Sequence, residues 1–433
     1  MPAEGGEGLA PGPAPTTLPP TDAGEDLEHR RGGWRELLRN RRFLLFEGTS
    51  TFASAGYAVY SVSVLFLAYG LTGSLLIAGL VLFIEYGVYT ATFLIAPLVD
   101  RARDKRTILL ICYPIQAVAA GVLALTLHDG TLSVGLLLSL VFALAFLWDF
   151  VWAVYMVAPR VVLPKRQLYL ANGFSSALSV GTQIGGYSGG GALLYFVGPA
   201  GGAAAYTGLL VAALVLAIPL SLPVAPTPGT SVGESFRRGW DAFRGAAGRP
   251  LRQLAALETW YGFFVAVPPL LITAIAYERF ADPAAVYGIL VTLFALGGSA
   301  AGIAVGHANP RRAVGWILVL TPLAGGLFVL ALLPVSGSLW LAGGLLAGVG
   351  ATISVRYTAK YAWVQGSFPP EVLARMTANL YLFTGVAGSL AVLAIGLGSS
   401  SLSLRTLEYL VAGGFAVAGG LGLAAPLLRR LRF

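Results

Sequence analysis

The chain has 433 residues, of which 56% are hydrophobic and only 11% charged, against about a quarter charged in ordinary soluble domains. A soluble fold of this composition would have to leave large apolar patches in water, so lipid is the expected surroundings. The net charge of +8 does not point to nucleic acid, because the basic residues fall in short bursts between long apolar runs, where topology signals belong.

Residues 1–33 are rich in Pro, Gly, Ala and acidic side chains without apolar periodicity, and read as a disordered tail. They lack the apolar core that a signal peptide needs. After the tail, apolar stretches recur near 43–70, 74–99, 107–127, 132–158, 172–196, 203–222, 253–277, 284–305, 313–333, 339–363, 376–399 and 406–428. Each has about the length that crosses ~30 Å of hydrocarbon as a helix. Helices are the expected form, because an open sheet edge cannot be left in lipid.

Twelve spans put 24 of the 28 basic residues on the side of the N-terminus, with only Arg279 and Arg405 opposite and Arg356 and Lys360 inside a span. Such asymmetry predicts that both termini are cytoplasmic. The longest internal polar stretch, 223–252, divides the spans six and six. It carries Phe236, Trp240 and Phe243 among arginines, the pattern of an amphipathic helix on the inner leaflet. The expected organisation is therefore a bundle over 34–222, a linker over 223–252 and a second bundle over 253–433. The halves echo each other: APLVDRARDKR from Ala96 and GIAVGHANPRR from Gly302 are offset by 206 residues, and Pro164 and Pro369 by 205. Parallel repeats of this kind are used by transporters that bind substrate between the repeats.

Three segments resemble the major facilitator superfamily, a likeness that extends over essentially everything after the tail. The loop at Asp100-Arg101 is similar to the family's G-x-x-x-D-R-x-G-R-R/K signature: Asp100, Arg101, Lys105 and Arg106 fit, while Ala96, Arg103 and Asp104 depart from it. The resemblance implies a cytoplasmic latch, with Asp100 accepting hydrogen bonds from a helix N-terminus and basic loop residues; the plainer reading is a basic loop that sets topology. In the fifth span, Gly181, Gly185, Gly186, Gly189 and Gly190 resemble the exporter pattern G-x-x-x-G-P-x-x-G-G, with Gly186 in place of Pro. Small residues there permit close helix approach and bending, and generic packing in a chain with 56 glycines is the plainer alternative. The passages Pro164–Asn172 and Gln365–Met376, with Leu71–Ser74, resemble the branch of macrolide, multidrug and siderophore exporters. The implied fold is all-α, with twelve transmembrane helices in two pseudo-symmetric six-helix bundles.

Enzymatic readings find no support. Gly186-Tyr-Ser188-Gly189-Gly190 matches hydrolase-like patterns, yet a nucleophilic Ser needs a base and no histidine lies within a span. Lys105, Lys165 and Lys360 are preceded by Asp, Pro and Ala, so no phosphate-binding Gly-Lys loop exists. The single cysteine, Cys112, and the scattered His29, His128 and His307 offer no metal cluster. No cofactor is expected, and transport would be secondary.

Ionisable groups at membrane depth cost at least ~2.5 kcal/mol each and mark functional sites. Glu85 lies fifteen residues from Asp100, about 22 Å along a helix, and Asp149 lies deep in the fourth span. Arg356 and Lys360 are four apart and share a face. The reading is that Glu85 and Asp149 face a central cavity and at least one exchanges protons, since burial disfavours a charged carboxylate. Arg356 would be a counter-charge or an anchor for an acidic group; a static pair of Asp149 with Arg356 is the alternative. Glu47 and Glu258 are expected to snorkel to the inner interface or to pair with flanking arginines. Tyr57, Tyr60, Tyr86, Tyr89 and Tyr155, with Trp148 and Trp152, cluster around the acids as a candidate aromatic lining, or as plain helix packing.

The expected function is proton-coupled efflux of small amphipathic organic compounds by alternating access, in the plasma membrane and as a monomer. The expected partners are a small-molecule substrate, protons and lipid, without nucleic acid. The alternatives are a solute uptake symporter or, outside transport, a receptor or lipid-translocating protein, which would have a closed apolar interior instead of a polar cavity.

Overall fold

The computed structural model describes residues 35–90, 95, 98–99, 102–164, 167–223, 249–308, 313–335, 337–367, 370–398, 402–429 and 431. The expected tail over 1–33, most of the linker over 223–252, and the latch residues Asp100 and Arg101 lie outside the described residues.

Among the described residues the fold is helical, with no strand. The elements are α1 (Arg41–Thr72), α2 (Leu75–Thr90), α3 (Arg106–His128), α4 (Val134–Val162), α5 (Leu168–Ala217), α6 (Arg249–Val265), α7 (Pro268–Arg279), α8 (Pro283–Ala308), α9 (Val314–Leu332), α10 (Leu339–Ser367), α11 (Pro370–Gly398), α12 (Leu404–Ala424) and the short α13 (Pro426–Arg429). Nine stretches among the described residues are long and apolar enough to cross a membrane, and Leu75–Thr90 and Leu382–Gly398 are shorter apolar helices.

Local chemistry fixes the element boundaries. Asn40 caps α1 by accepting the Phe43 N–H at 3.1 Å, and Gly73 ends the helix at φ 61°, its N–H closing on Tyr69 O. A glycine in the left-handed region is the usual helix stop, since it carries no Cβ to clash. Ser133 and Ser403 cap α4 and α12 in the same way as Asn40. The fifth and sixth apolar stretches form one element, α5, broken at Gly198 (φ 70°) just before Pro199. The stretch over 253–277, expected as one span, is interrupted between α6 and α7, where Pro268 and Pro269 begin a new helix because proline has no N–H for the preceding turn.

Helices α1 to α5 pack mainly among themselves, as do α6 to α12, and two long seams join the sets: α2 against α11 and α5 against α8. Glycine makes the seams close. A Cβ added to Gly288 would lie 2.6 Å from Gly191 Cα, and one on Gly79 would lie 2.7 Å from Val392 O. Backbones therefore touch directly, and any side chain there would push the sets apart. Both contacts lie toward the end of the bundle that carries the α1–α2 and α7–α8 connections. At that end Tyr277 of α7 donates its hydroxyl to Phe66 O at 3.1 Å and stacks on Phe66, with ring centroids 4.8 Å apart. Arg279 pairs with the buried Glu408 of α12 at 2.7 Å and also bonds Leu332 O at the end of α9.

Candidate functional site

Between the two helix sets lies a cavity of about 1350 Å³. The first set contributes Tyr57, Ser61, Glu85, Tyr86, Gln183 and Tyr187 to its lining. The second contributes Tyr287, Ser299, Ser354, Tyr357, Thr358 and Tyr361, with Gly298, Gly302 and Gly350 smoothing the wall. Cavities of this size exceed the few hundred Å³ that hold most drug-sized ligands.

Glu85 is where the sequence places it, in α2 on the cavity wall. Its Oε1 is buried and makes no hydrogen bond. Its electrostatic neighbours are phenols from three other helices: Tyr57 and Tyr60 of α1, Tyr187 and Tyr206 of α5, and Tyr287 of α8. A buried carboxylate without a cationic or donor partner is costly as an ion. It is stable when protonated or when a ligand supplies the missing partner.

The second set holds its charges differently. Glu258 of α6 accepts from Arg356 Nη2 at 2.6 Å on one oxygen and from Lys360 Nζ at 2.8 Å on the other. The Glu258 and Arg356 side chains are fully buried and that of Lys360 is 3% exposed. Arg356 also donates to Leu318 O and stacks over Tyr261 at 4.2 Å. The Lys360 ammonium lies 4.4 Å from the Tyr357 ring centre and 4.8 Å from that of Tyr361. Helical geometry explains the convergence: positions 356 and 360 are one turn apart on α10, so both cations reach one carboxylate.

Several expectations need correction. Glu258 does not snorkel. Its side chain is fully buried, and it is the carboxylate that holds Arg356. Glu47 is also buried, 4% exposed, and accepts the Ser175 hydroxyl of α5 instead of reaching the interface. Trp152 is 36% exposed and lies outside the cavity lining, as do Asp149, Tyr60, Tyr89 and Trp148. Asp149 is buried at 2% exposure and engaged by a neighbour. Tyr60 and Trp148 instead form the layer behind the wall: Tyr57 stacks on Trp148 at 4.4 Å, and Tyr60 stacks on Tyr206 at 5.2 Å.

The glycine pattern divides along the helix faces. Gly186 and Gly190 press on α1, where a Cβ would lie 2.6 Å from Ala58 Cβ and 3.1 Å from Val59 Cα. At Gly181, Gly185 and Gly189 an added Cβ would meet nothing within 4 Å, so close approach does not require glycine there. In the basic loop, Lys105 is buried and bonds Val99 O at 2.6 Å and Ala102 O at 3.0 Å. Asp104, a departure from the family signature, accepts the Arg106 N–H at 3.0 Å and the Leu222 N–H at 3.1 Å. It ties the α2–α3 loop to the chain beyond α5. Arg106 keeps a buried Nε without a partner.

Sequence reasoning missed Tyr187, Tyr287, Gln183, Tyr277 and Glu408. Tyr277 and Tyr287 flank the polar break at 278–283, a signal available in the sequence, while Tyr187 hid within the glycine run.

The overall fold is shared with solved proteins. The chain superposes on a nucleoside transporter, NupG, with a TM-score of 0.74 at 12% identity, covering 88% of this chain and 99% of that one. A bacterial homolog of the human lysosomal transporter Spinster, in an inward-facing and unoccupied conformation, gives 0.73 at 14% identity, covering 91% and 99%. A bacterial homologue of the iron transporter ferroportin, in an inward-facing state, gives 0.68 at 17%, covering 90% and 98%. The chain therefore shares its fold with these solved transporters. No family model and no curated protein matches the chain.

Proposed function

We propose that the protein is a secondary active transporter with twelve spans in two six-helix bundles, that it works by alternating access, and that it couples efflux of amphipathic organic compounds to proton exchange at Glu85. The observation that carries this reading is the carboxylate in the wall of a large cavity, with its Oε1 buried and without a hydrogen-bonding partner. A receptor or a lipid-translocating protein with a closed apolar interior has no use for such a cavity.

Alternating access needs one end sealed while the other opens. Glycine-on-glycine contact at Gly191–Gly288 and the Tyr277–Phe66 bond join the sets at the end carrying the α1–α2 connection. If the basic loops are cytoplasmic, that end is outside and the cavity belongs to an inward-facing state. Binding of protons and of substrate at Glu85 would then exclude each other, which is the simplest coupling of two fluxes moving in opposite directions.

The test is transport of a fluorescent amphipathic dye by the full chain in proteoliposomes under an imposed pH gradient. Dye should move against its own gradient when protons run the other way, and Glu85→Gln should abolish the proton-driven component. Full proton-driven flux in Glu85→Gln would overturn the coupling role. Movement of dye in the same direction as protons would replace efflux with uptake symport.

A further inference from the structure

We propose that the cavity binds amphipathic zwitterions, with Glu85 taking the cationic end and the Tyr357 hydroxyl, with Ser354 and Thr358, taking the anionic end. The proposal rests on the reading of the cavity as a substrate site and goes beyond it by naming the substrate class.

The two walls differ in charge. On the α2 wall, Glu85 presents an oxygen without a donor, and Tyr57, Tyr86, Tyr187 and Tyr287 line the same cavity. A carboxylate among aromatic rings suits an organic cation, because ring faces and carboxylate both attract it. On the α10 wall, two cations share one carboxylate: Arg356 and Lys360 both close on Glu258, which among the described residues leaves that cluster one positive charge in excess. Unbalanced charge in a dry interior is expensive, and the excess is not spent in water, since all three side chains are buried.

The excess charge reaches the cavity through Tyr357. The Lys360 ammonium lies 4.4 Å from the centre of its ring, and Tyr357 is itself part of the cavity lining. A cation against the face of a phenol draws electron density from the ring and makes its hydroxyl a stronger donor. Ser354 and Thr358, one turn before and one residue after on the same helix, add two more hydroxyls to the wall. Donors backed by a cation bind carboxylate or sulfonate groups better than neutral ones. The two walls can act on one molecule because Glu85, Ser354, Tyr357 and Thr358 line the same cavity. Apolar side chains such as Val62, Leu65 and Ile272 fill the space between and fit the body of an amphipath.

Three dyes on one scaffold test the assignment: zwitterionic rhodamine B, its cationic ethyl ester, and anionic 5-carboxyfluorescein. Binding is read by fluorescence polarisation on the full chain in nanodiscs, with empty discs subtracted. Rhodamine B should bind about tenfold more tightly than the ester or carboxyfluorescein, the worth of one additional charge-assisted contact. Tyr357→Phe, which keeps the ring over Lys360, should bring rhodamine B down to the affinity of the ester and leave the ester unchanged. Glu85→Gln should weaken both rhodamines and spare carboxyfluorescein. Equal or tighter binding of the ester by the unaltered chain would overturn the proposal, as would equal weakening of both rhodamines by Tyr357→Phe, or no binding of any dye. Proton-driven flux separates the two readings. Flux lost in Glu85→Gln with the ester preferred defeats only the zwitterion assignment. Flux retained with rhodamine B preferred defeats only the coupling role.

Discussion

The two halves of the molecule bury acidic residues in opposite ways. In the first, Glu85 stands among phenols with one oxygen unsatisfied; in the second, Glu258 is gripped by Arg356 and Lys360 at 2.6 and 2.8 Å and walled in by Tyr261, Tyr357 and Tyr361. A clamped carboxylate stays ionised and holds α6 to α10. An open one has no such fixed tie, and in the proposed coupling it is the group that exchanges protons. The difference suggests a division of labour, with a charged frame in the second half and an exchanging group in the first.

The largest expected effect comes from breaking the frame. Glu258→Gln leaves two buried cations without their counter-charge and should destabilise the protein by about 3–5 kcal/mol, read as a fall in thermal unfolding temperature in detergent. A normal melting curve would mean that the cations find water and that the frame is not dry. Glu85→Gln should do the reverse: it removes no partner and relieves a costly group, so thermal stability should hold or rise while proton-driven flux disappears. A stability loss like that of Glu258→Gln would remove the contrast.

At the glycine seam between α5 and α8, Gly191→Leu forces a side chain into Gly288 and should separate the two helices. A Ser61→Cys reporter in a Cys112→Ser background should then react faster with an impermeant thiol reagent applied from the α1–α2 end; unchanged labelling would show that the seam is not the seal. Arg279→Met strips the buried Glu408 of its cation, and because Arg279 is itself 13% exposed the loss should be smaller, about 1–3 kcal/mol.

Part of the site was legible before the fold. A carboxylate fifteen residues from a polar loop has to be deep in an apolar helix, so Glu85 announced itself; Arg356 and Lys360 announced a shared face by their spacing. Glu258 did not, because its depth depends on where α6 starts, and the linker arginines hid that start. Glu47 was misplaced for a related reason: it is close to the end of α1 by count, but α5 covers it and offers Ser175. The glycine run showed that helices approach closely without showing which residues do so, since facing requires knowledge of the partner. Gly186 and Gly190 meet α1, Gly191 meets α8, and Gly181, Gly185 and Gly189 meet nothing within reach.

The sequence by itself determined the solvent, the helical form, the position of most helices and the presence of ionisable groups within them. These follow from hydrophobic length, helix caps and the cost of charge in lipid, all of which act along the chain. Only the tertiary structure decided which charges are paired, which tyrosines face the cavity and where the two helix sets touch. Those are contacts between residues tens to hundreds of positions apart: Glu258 and Arg356, Gly191 and Gly288, Tyr277 and Phe66. No periodicity within one helix encodes the azimuth of another, so the pairing of Glu258 and the openness of Glu85 emerge only when the helices pack.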